Sequence, residues 1–83
     1  MILKMISKEQ QDGQQKWVNT AYFYGVSNVN VTHSHGKVLG YSISFVCNGE
    51  EILRDMLEYD QVFVMNDEGK TIDTLRNVDR QII

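Results

Sequence analysis

Two histidines at alternate positions, His33 and His35, have the spacing that most resembles a chemical site. Alternate residues of a strand project from one face, and neutral imidazoles are suitable ligands for zinc, copper or nickel. Zinc needs three or four donors, however, and the one thiol, Cys47, lies at the far end of the next predicted strand. We therefore interpret the pair as polar turn residues beside Gly36, and metal binding through them as a minor hypothesis.

Groups that could catalyse a reaction are sparse. A nucleophile such as Cys47 would need a histidine base, but this thiol falls in register with Ile43 and Phe45 on an apolar strand face, which is typical of core packing. The six glycines are dispersed and form neither GxGxxG nor GxxxxGK[ST], so the sequence contains no evident phosphate-binding loop. We predict that the chain is not an enzyme and needs no cofactor.

The acidic charge of the chain is concentrated between residues 50 and 68. This stretch holds seven acidic residues and one basic residue, Arg54, whereas the whole chain has a formal net charge of −3. A surface of one sign steers a complementary surface toward it, so we expect a protein partner with a basic surface. A sequence pI near 5.2 and scattered basic residues argue against direct nucleic-acid binding. The acids predicted to contact the partner are Glu50, Glu51, Asp55, Glu58 and Asp60.

These features favour a small acidic protein-interaction module. In its sharpest form, the module is an inhibitor that imitates nucleic-acid phosphates and occludes a basic, nucleic-acid-handling protein. The competing interpretation is that the acids only solvate an exposed face. A second class of function is a homo-oligomeric structural or assembly protein, which would form a homodimer through strand edges or through the C-terminal tail, Ile82 and Ile83.

Length and composition limit the architecture. At 83 residues with a hydrophobic content of 42%, the chain is expected to form a single domain over residues 1–83. One cysteine allows no internal disulfide, and no apolar run approaches the roughly 18 residues that a membrane-spanning helix needs. We therefore expect a cytoplasmic protein with no membrane contact.

Turn residues divide the first half of the chain into predicted strands. The chain has no proline, so its reversals depend on Gly, Asn and Asp, and Asp12-Gly13 predicts a hairpin. Its second strand, residues 16–24, has aromatic residues on both faces, which indicates a central strand or a strand at an interface. Val29 and Val31 mark a third strand. After a turn at residues 34–36, residues 38–47 show the clearest alternation.

The last part of the chain predicts a further hairpin. Residues 61–65 are apolar on both faces, which is typical of a buried strand. Residues 66–69 end in glycine and indicate a turn, and residues 70–76 return as the second strand of the hairpin.

Between these regions the spacing of apolar residues changes. Asn48 is placed as an N-cap, and the following pattern at i, i+1, i+4 and i+5 predicts an amphipathic helix near residues 49–59. Asn48-Gly49 is also a strong hairpin signal, and a strand there would favour an all-β barrel instead. The apolar residues of the stripe are Ile52, Leu53, Met56 and Leu57.

The prediction for the whole chain is an α+β fold. It consists of an antiparallel meander of about four strands, one amphipathic helix, and a C-terminal β-hairpin in the same sheet. The alternative prediction is the all-β barrel.

Overall fold

Eight strands form this protein. The structure, a computed structural model, describes residues 1–11, 14–33, 40–57, 60–76 and 78–82, with the backbone alone for 8–11 and 14–18. The strands are β1 (Ile2–Gln11), β2 (Gln14–Phe23), β3 (Ser27–His33), β4 (Gly40–Cys47), β5 (Glu50–Leu57), β6 (Gln61–Met65), β7 (Thr71–Leu75) and β8 (Arg80–Ile82). They form two antiparallel sheets, sheet A with the order β2-β1-β6-β7 and sheet B with the order β5-β4-β3-β8.

The two sheets pack against each other around one hydrophobic core. Successive side chains of a strand point to opposite faces, so every second residue enters this core. The rings of Phe23 and Phe45 meet edge to face across it, with centroids 4.9 Å apart. Sheet A contributes Leu3, Met5, Val62, Val64 and Leu75, and sheet B contributes Val29, Val31, Tyr41, Ile43, Phe45, Cys47 and Met56.

The predicted α+β fold is wrong, because the residues expected to form the helix form strand β5. Asn48 and Gly49 have positive φ angles of 54° and 76°, the backbone of a two-residue hairpin turn, so the chain returns directly along β4. β5 then pairs with β4 along its whole length. The i, i+4 spacing of Ile52 and Met56 did not distinguish a helix from a strand, because residues four apart lie on the same face in both.

The part of the chain that the structure describes is all-β and contains no helix, but its two sheets are not closed into a barrel. The single predicted sheet is also wrong. The β6–β7 hairpin joins β1 and β2 in sheet A, whereas β3 and β4 belong to sheet B. The chain changes sheets after β2, where Gly25 has a positive φ of 63° and the N–H of Val26 donates to the carbonyl of Met1.

Several local predictions are confirmed. β1 and β2 pair as an antiparallel hairpin, β4 alternates between core and outer residues, and β6 spans residues 61–65. The tail adds β8 to the edge of sheet B, where Ile82 pairs with Val29. The predicted turns at residues 12–13 and 34–36, and Ile83, lie outside the described residues.

Candidate interaction surfaces

Strand β5 lies at an edge of sheet B and carries a row of four exposed side chains on the outer face of that sheet. Their β4 partners are the outward residues of β4, whereas the other residues of β5 pair with core residues. Acid and leucine alternate along this row, and Leu53 is 61% exposed. We call Glu51, Leu53, Asp55 and Leu57 the acid–leucine row.

The predicted acids do not share one surface. Glu51 and Asp55 belong to the acid–leucine row, but Glu50 pairs with a core residue and therefore lies on the opposite face of β5. Asp60 lies in the connection between β5 and β6, and Glu58 lies outside the described residues. The acidic helix face expected from the sequence is thus replaced by a strand that divides its acids between two faces.

Two of these acids also have structural contacts. The Ser42 hydroxyl donates to the Asp55 carboxylate at 2.8 Å, which ties the row to β4. The Asp60 carboxylate accepts from the backbone N–H of Leu57 at 2.8 Å, and Arg54 donates to the carbonyl of Leu53 at 3.0 Å. Side chains thus hydrogen-bond to backbone groups in the middle and at the C-terminal end of β5, and such contacts hinder pairing with a further strand.

Tyr41 is hydrogen-bonded to the connection between β5 and β6, which contains Asp60. Its hydroxyl donates to the backbone carbonyl of Asp60 at 3.0 Å. Burial, with a smaller contribution from the charge of Asp60, raises the pKa of Tyr41 to about 12. The phenol is therefore a neutral hydrogen-bond donor at physiological pH.

The outer face of sheet A differs sharply from that of sheet B. Lys4 pairs with Tyr22 on one side and with Phe63 on the other, and residues opposite each other in antiparallel strands project from the same face. Tyr22 is 45% exposed, Tyr24 62% and Ile72 59%. We call this surface the aromatic face, and its members are Lys4, Ile6, Tyr22, Tyr24, Phe63, Met65 and Ile72.

Contacts among its side chains organise the aromatic face. The rings of Tyr22 and Tyr24 stack with centroids 6.2 Å apart, and the ammonium of Lys4 lies 5.7 Å from the centroid of Tyr22. Among the strand residues of this face whose side chains are described, Lys4 alone is charged. The described part of the face is thus mainly apolar with one positive charge, and the polar residues Thr20, Gln61 and Thr74 also project from it.

A cleft of about 220 Å³ opens between β2 and β5. Its lining combines apolar side chains such as Met5 and Met56 with the charged groups of Arg54 and Asp60. The Arg54 guanidinium lies 5.7 Å from the centroid of Phe23, across the gap between the two sheets. Its described lining includes neither histidine nor cysteine, so it offers no pairing of a nucleophile with a histidine base.

The opposite side of the sandwich, between β7 and β8, is closed by an ion pair. The guanidinium of Arg80 donates to both carboxylate oxygens of Asp73, with Nη1 and Oδ1 3.0 Å apart. This hydrogen bond lowers the pKa of Asp73 below its ordinary value and raises that of Arg80.

The remaining candidate residues are the two histidines and the cysteine. The backbone N–H of His33 donates to the Asp79 carboxylate at 2.6 Å, and His35 lies outside the described residues. Among the residues that the structure describes, no three possible metal ligands come together. Cys47 is buried, as predicted from its register, and its S–H donates to the carbonyl of Tyr24 at 3.1 Å.

The sequence contained a partial signal for the aromatic face. Aromatic residues on both sides of the second strand indicated a central strand or an interface, and β2 lies at the edge of its sheet. The extension of the face to Phe63 and Ile72 depends on pairing between β1 and β6, which are far apart in the chain and carry no local mark of their partnership.

No protein-family model, curated protein or solved structure matches this chain. Within the described segments, no helix has the length and apolar character needed to cross a membrane.

Proposed function

We propose that this chain is a non-enzymatic protein-interaction module that binds its partner through the acid–leucine row of β5. The proposal rests on the exposure of two leucines that alternate with two carboxylates on an edge strand. Full burial of one leucine side chain contributes roughly 1.5–3 kcal/mol, which is a driving force that a solvated acidic face lacks. The cytoplasm, expected from the single cysteine, is the proposed compartment.

The row specifies the chemistry of the partner. Carboxylates at both flanks of Leu53 favour a surface on which basic side chains flank an apolar patch. Opposite charges steer the encounter, and burial of the leucines slows dissociation. Glu51 and Asp55 are the acids that we place in contact with the partner. Asp60 supports the row by holding the N–H of Leu57.

Imitation of a nucleic-acid backbone receives less support than simple protein binding. Glu51 and Asp55 are four residues apart in a strand, a distance of about 13 Å at about 3.3 Å per residue. Phosphates of one DNA strand repeat about every 3.4 Å along the helix axis, so two acids at this separation do not form a comparable ladder. The proposed partner is therefore any protein with the complementary basic and apolar surface.

The test compares two double charge reversals that change the net charge equally. Glu51→Lys with Asp55→Lys alters the row, whereas Asp67→Lys with Glu68→Lys alters exposed acids in the β6–β7 turn. Tagged proteins are used for affinity capture from lysate of the native host, at low and at high salt, with quantitative mass spectrometry. We expect the row variant to lose the partner that the wild type captures at least about tenfold, equivalent to about 1.4 kcal/mol, while the turn variant retains it.

If both variants lose the captured partner equally, the net charge of the protein and not the row controls binding, and the proposal is contradicted. Retention of the partner by the row variant would contradict it as well. Leu53→Ser is a further variant, because it leaves the charge unchanged and should weaken the same partner.

A homo-oligomeric assembly protein is the second candidate function. The aromatic face favours it, because large exposed apolar surfaces on small proteins mark interaction sites or aggregation hazards.

A further inference from the structure

We infer that the partner of the acid–leucine row is the aromatic face of a second copy of this chain. The inference rests on the proposed function and names the occupant of the same site. Both surfaces belong to one molecule, and they lie on opposite outer faces of its two sheets. The row carries negative charges and the aromatic face carries a positive charge.

Charge complementarity identifies the occupant. The aromatic face combines apolar side chains with one cation, Lys4, and the row combines two leucines with two carboxylates. Docked together, Lys4 lies beside one carboxylate of the row while the leucines cover apolar side chains of the aromatic face. The Lys4 ammonium already lies over Tyr22, so its charge is held at the apolar surface instead of extending away from it.

The same charges disfavour a symmetric dimer through either surface. Two aromatic faces packed about a twofold axis would bring Lys4 toward its own copy, and two rows would oppose four carboxylates. A row packed on an aromatic face avoids both repulsions. Such a contact is heterologous, because it joins two different patches, and it therefore leads to a closed ring or an open chain of copies.

The size of the surfaces sets the expected affinity. The aromatic face, with four strands about 4.8 Å apart and about five residues long, covers about 20 Å by 17 Å, and the row belongs to a single strand and covers only part of it. An interface of at most this size lies below the roughly 1,200 Å² of total buried surface that is common in stable complexes. Self-association is therefore weak and depends on concentration, so it has to be measured at about 0.1–1 mM protein.

The experiment is sedimentation equilibrium of complementary variants, with circular dichroism to establish that each is folded. Lys4→Glu alters the aromatic face, and Glu51→Lys with Asp55→Lys alters the row. We expect the wild type to exceed its monomer mass of 9.6 kDa at high concentration, and each variant alone to remain a monomer. An equimolar mixture of the two should associate again, because one contact is intact and the other has its charges exchanged.

The turn variant, Asp67→Lys with Glu68→Lys, is the matched control and should associate like the wild type. The inference is overturned if the wild type stays monomeric throughout this range, or if the row variant still associates while Lys4→Glu does not, since that pattern belongs to a symmetric dimer of aromatic faces. A monomeric wild type that still captures a basic protein through the row would leave the proposed function standing without this partner.

Discussion

The outer faces of the two sheets have opposite chemical character, although the inner faces are alike. The outer face of sheet A carries tyrosines, a phenylalanine and aliphatic side chains, whereas that of sheet B carries small polar residues such as Ser42 and Ser44 beside the acid–leucine row. Folding of a sandwich requires only that the inner faces be apolar. The difference between the outer faces is therefore not required by the fold, and the proposed interaction surfaces account for it.

Individual side chains of the two faces differ in how much they contribute to the fold. Phe63 and Met65 on the aromatic face are half-buried by their neighbours, whereas Leu53 in the row has little cover. Residues of an interaction surface can be substituted without loss of the fold, whereas residues of a hydrophobic core cannot. Mutations that separate these two roles test the comparison directly.

The largest effect should come from two matched phenylalanine substitutions. Phe45→Ala removes a side chain that is 1% exposed, and it should lower the free energy of unfolding by about 3–5 kcal/mol. Phe63→Ala, on the aromatic face, should cost less than half as much because its side chain is half-buried. Urea denaturation measures both. Equal losses would mean that the aromatic face is a second core and not an interaction surface.

Gly40→Ala should disturb sheet B while leaving sheet A in place. A Cβ atom at this position would clash with the backbone oxygen of Met56, so β4 and β5 must separate locally. We expect a loss of about 1–3 kcal/mol in the free energy of unfolding. Hydrogen exchange should show faster exchange in β5 than in β6. Ser44→Ala, on the same strand, is the control and should change little; unchanged exchange in Gly40→Ala would contradict the close approach.

The pH dependence of stability should show how firmly Tyr41 supports β5. Because the folded pKa is raised from 10.0 to about 12, the unfolded chain loses its proton first, and stability present below pH 10 is lost as pH rises toward 12. The loss should amount to roughly 2–3 kcal/mol. Tyr41→Phe lacks this titration, so its unfolding free energy should fall less over the same range. Parallel curves for the two proteins would exclude the assigned role.

The smallest effect is expected where β7 and β8 are joined. The pKa of Asp73 is lowered by its hydrogen bond with Arg80, so this carboxylate stabilises the fold above its ordinary pKa of 3.8, and the contribution is lost as pH falls through the folded value. Asp73→Asn should therefore lower the melting temperature slightly at neutral pH and match the wild type in strong acid, because exposed pairs contribute little. A difference that persists in strong acid would assign the effect to another cause.

Local features of the fold were predictable from the sequence, and long-range ones were not. The β1–β2 hairpin and the alternation of β4 follow from turn residues and a period of two. The helix prediction failed because Ile52 and Met56 fit both structures, and the turn at Asn48-Gly49 decided between them. The pairings of β1 with β6 and of β3 with β8 join distant segments, and apolar strand faces alone do not identify their partners.

The candidate surfaces were predictable to a similar extent. The sequence identified the acids of β5, but the wrong period placed them on one face, and the exposed Leu53 was assigned to a buried stripe. Asp60 was predicted as a contact acid, although its carboxylate holds the N–H of Leu57. Predicting the whole aromatic face requires the strand order of sheet A. From the sequence alone, only the residues that β2 contributes could be predicted.

A dilution series of ¹⁵N-labelled protein, followed by amide NMR shifts, tests whether the two outer faces contain the interaction surfaces. We expect shifts between about 0.05 and 1 mM to concentrate in β5 and in β1, β2 and β6, and to disappear in the variant with Glu51→Lys and Asp55→Lys. Shifts confined to β7 and β8, or an unchanged pattern in that variant, would contradict this expectation.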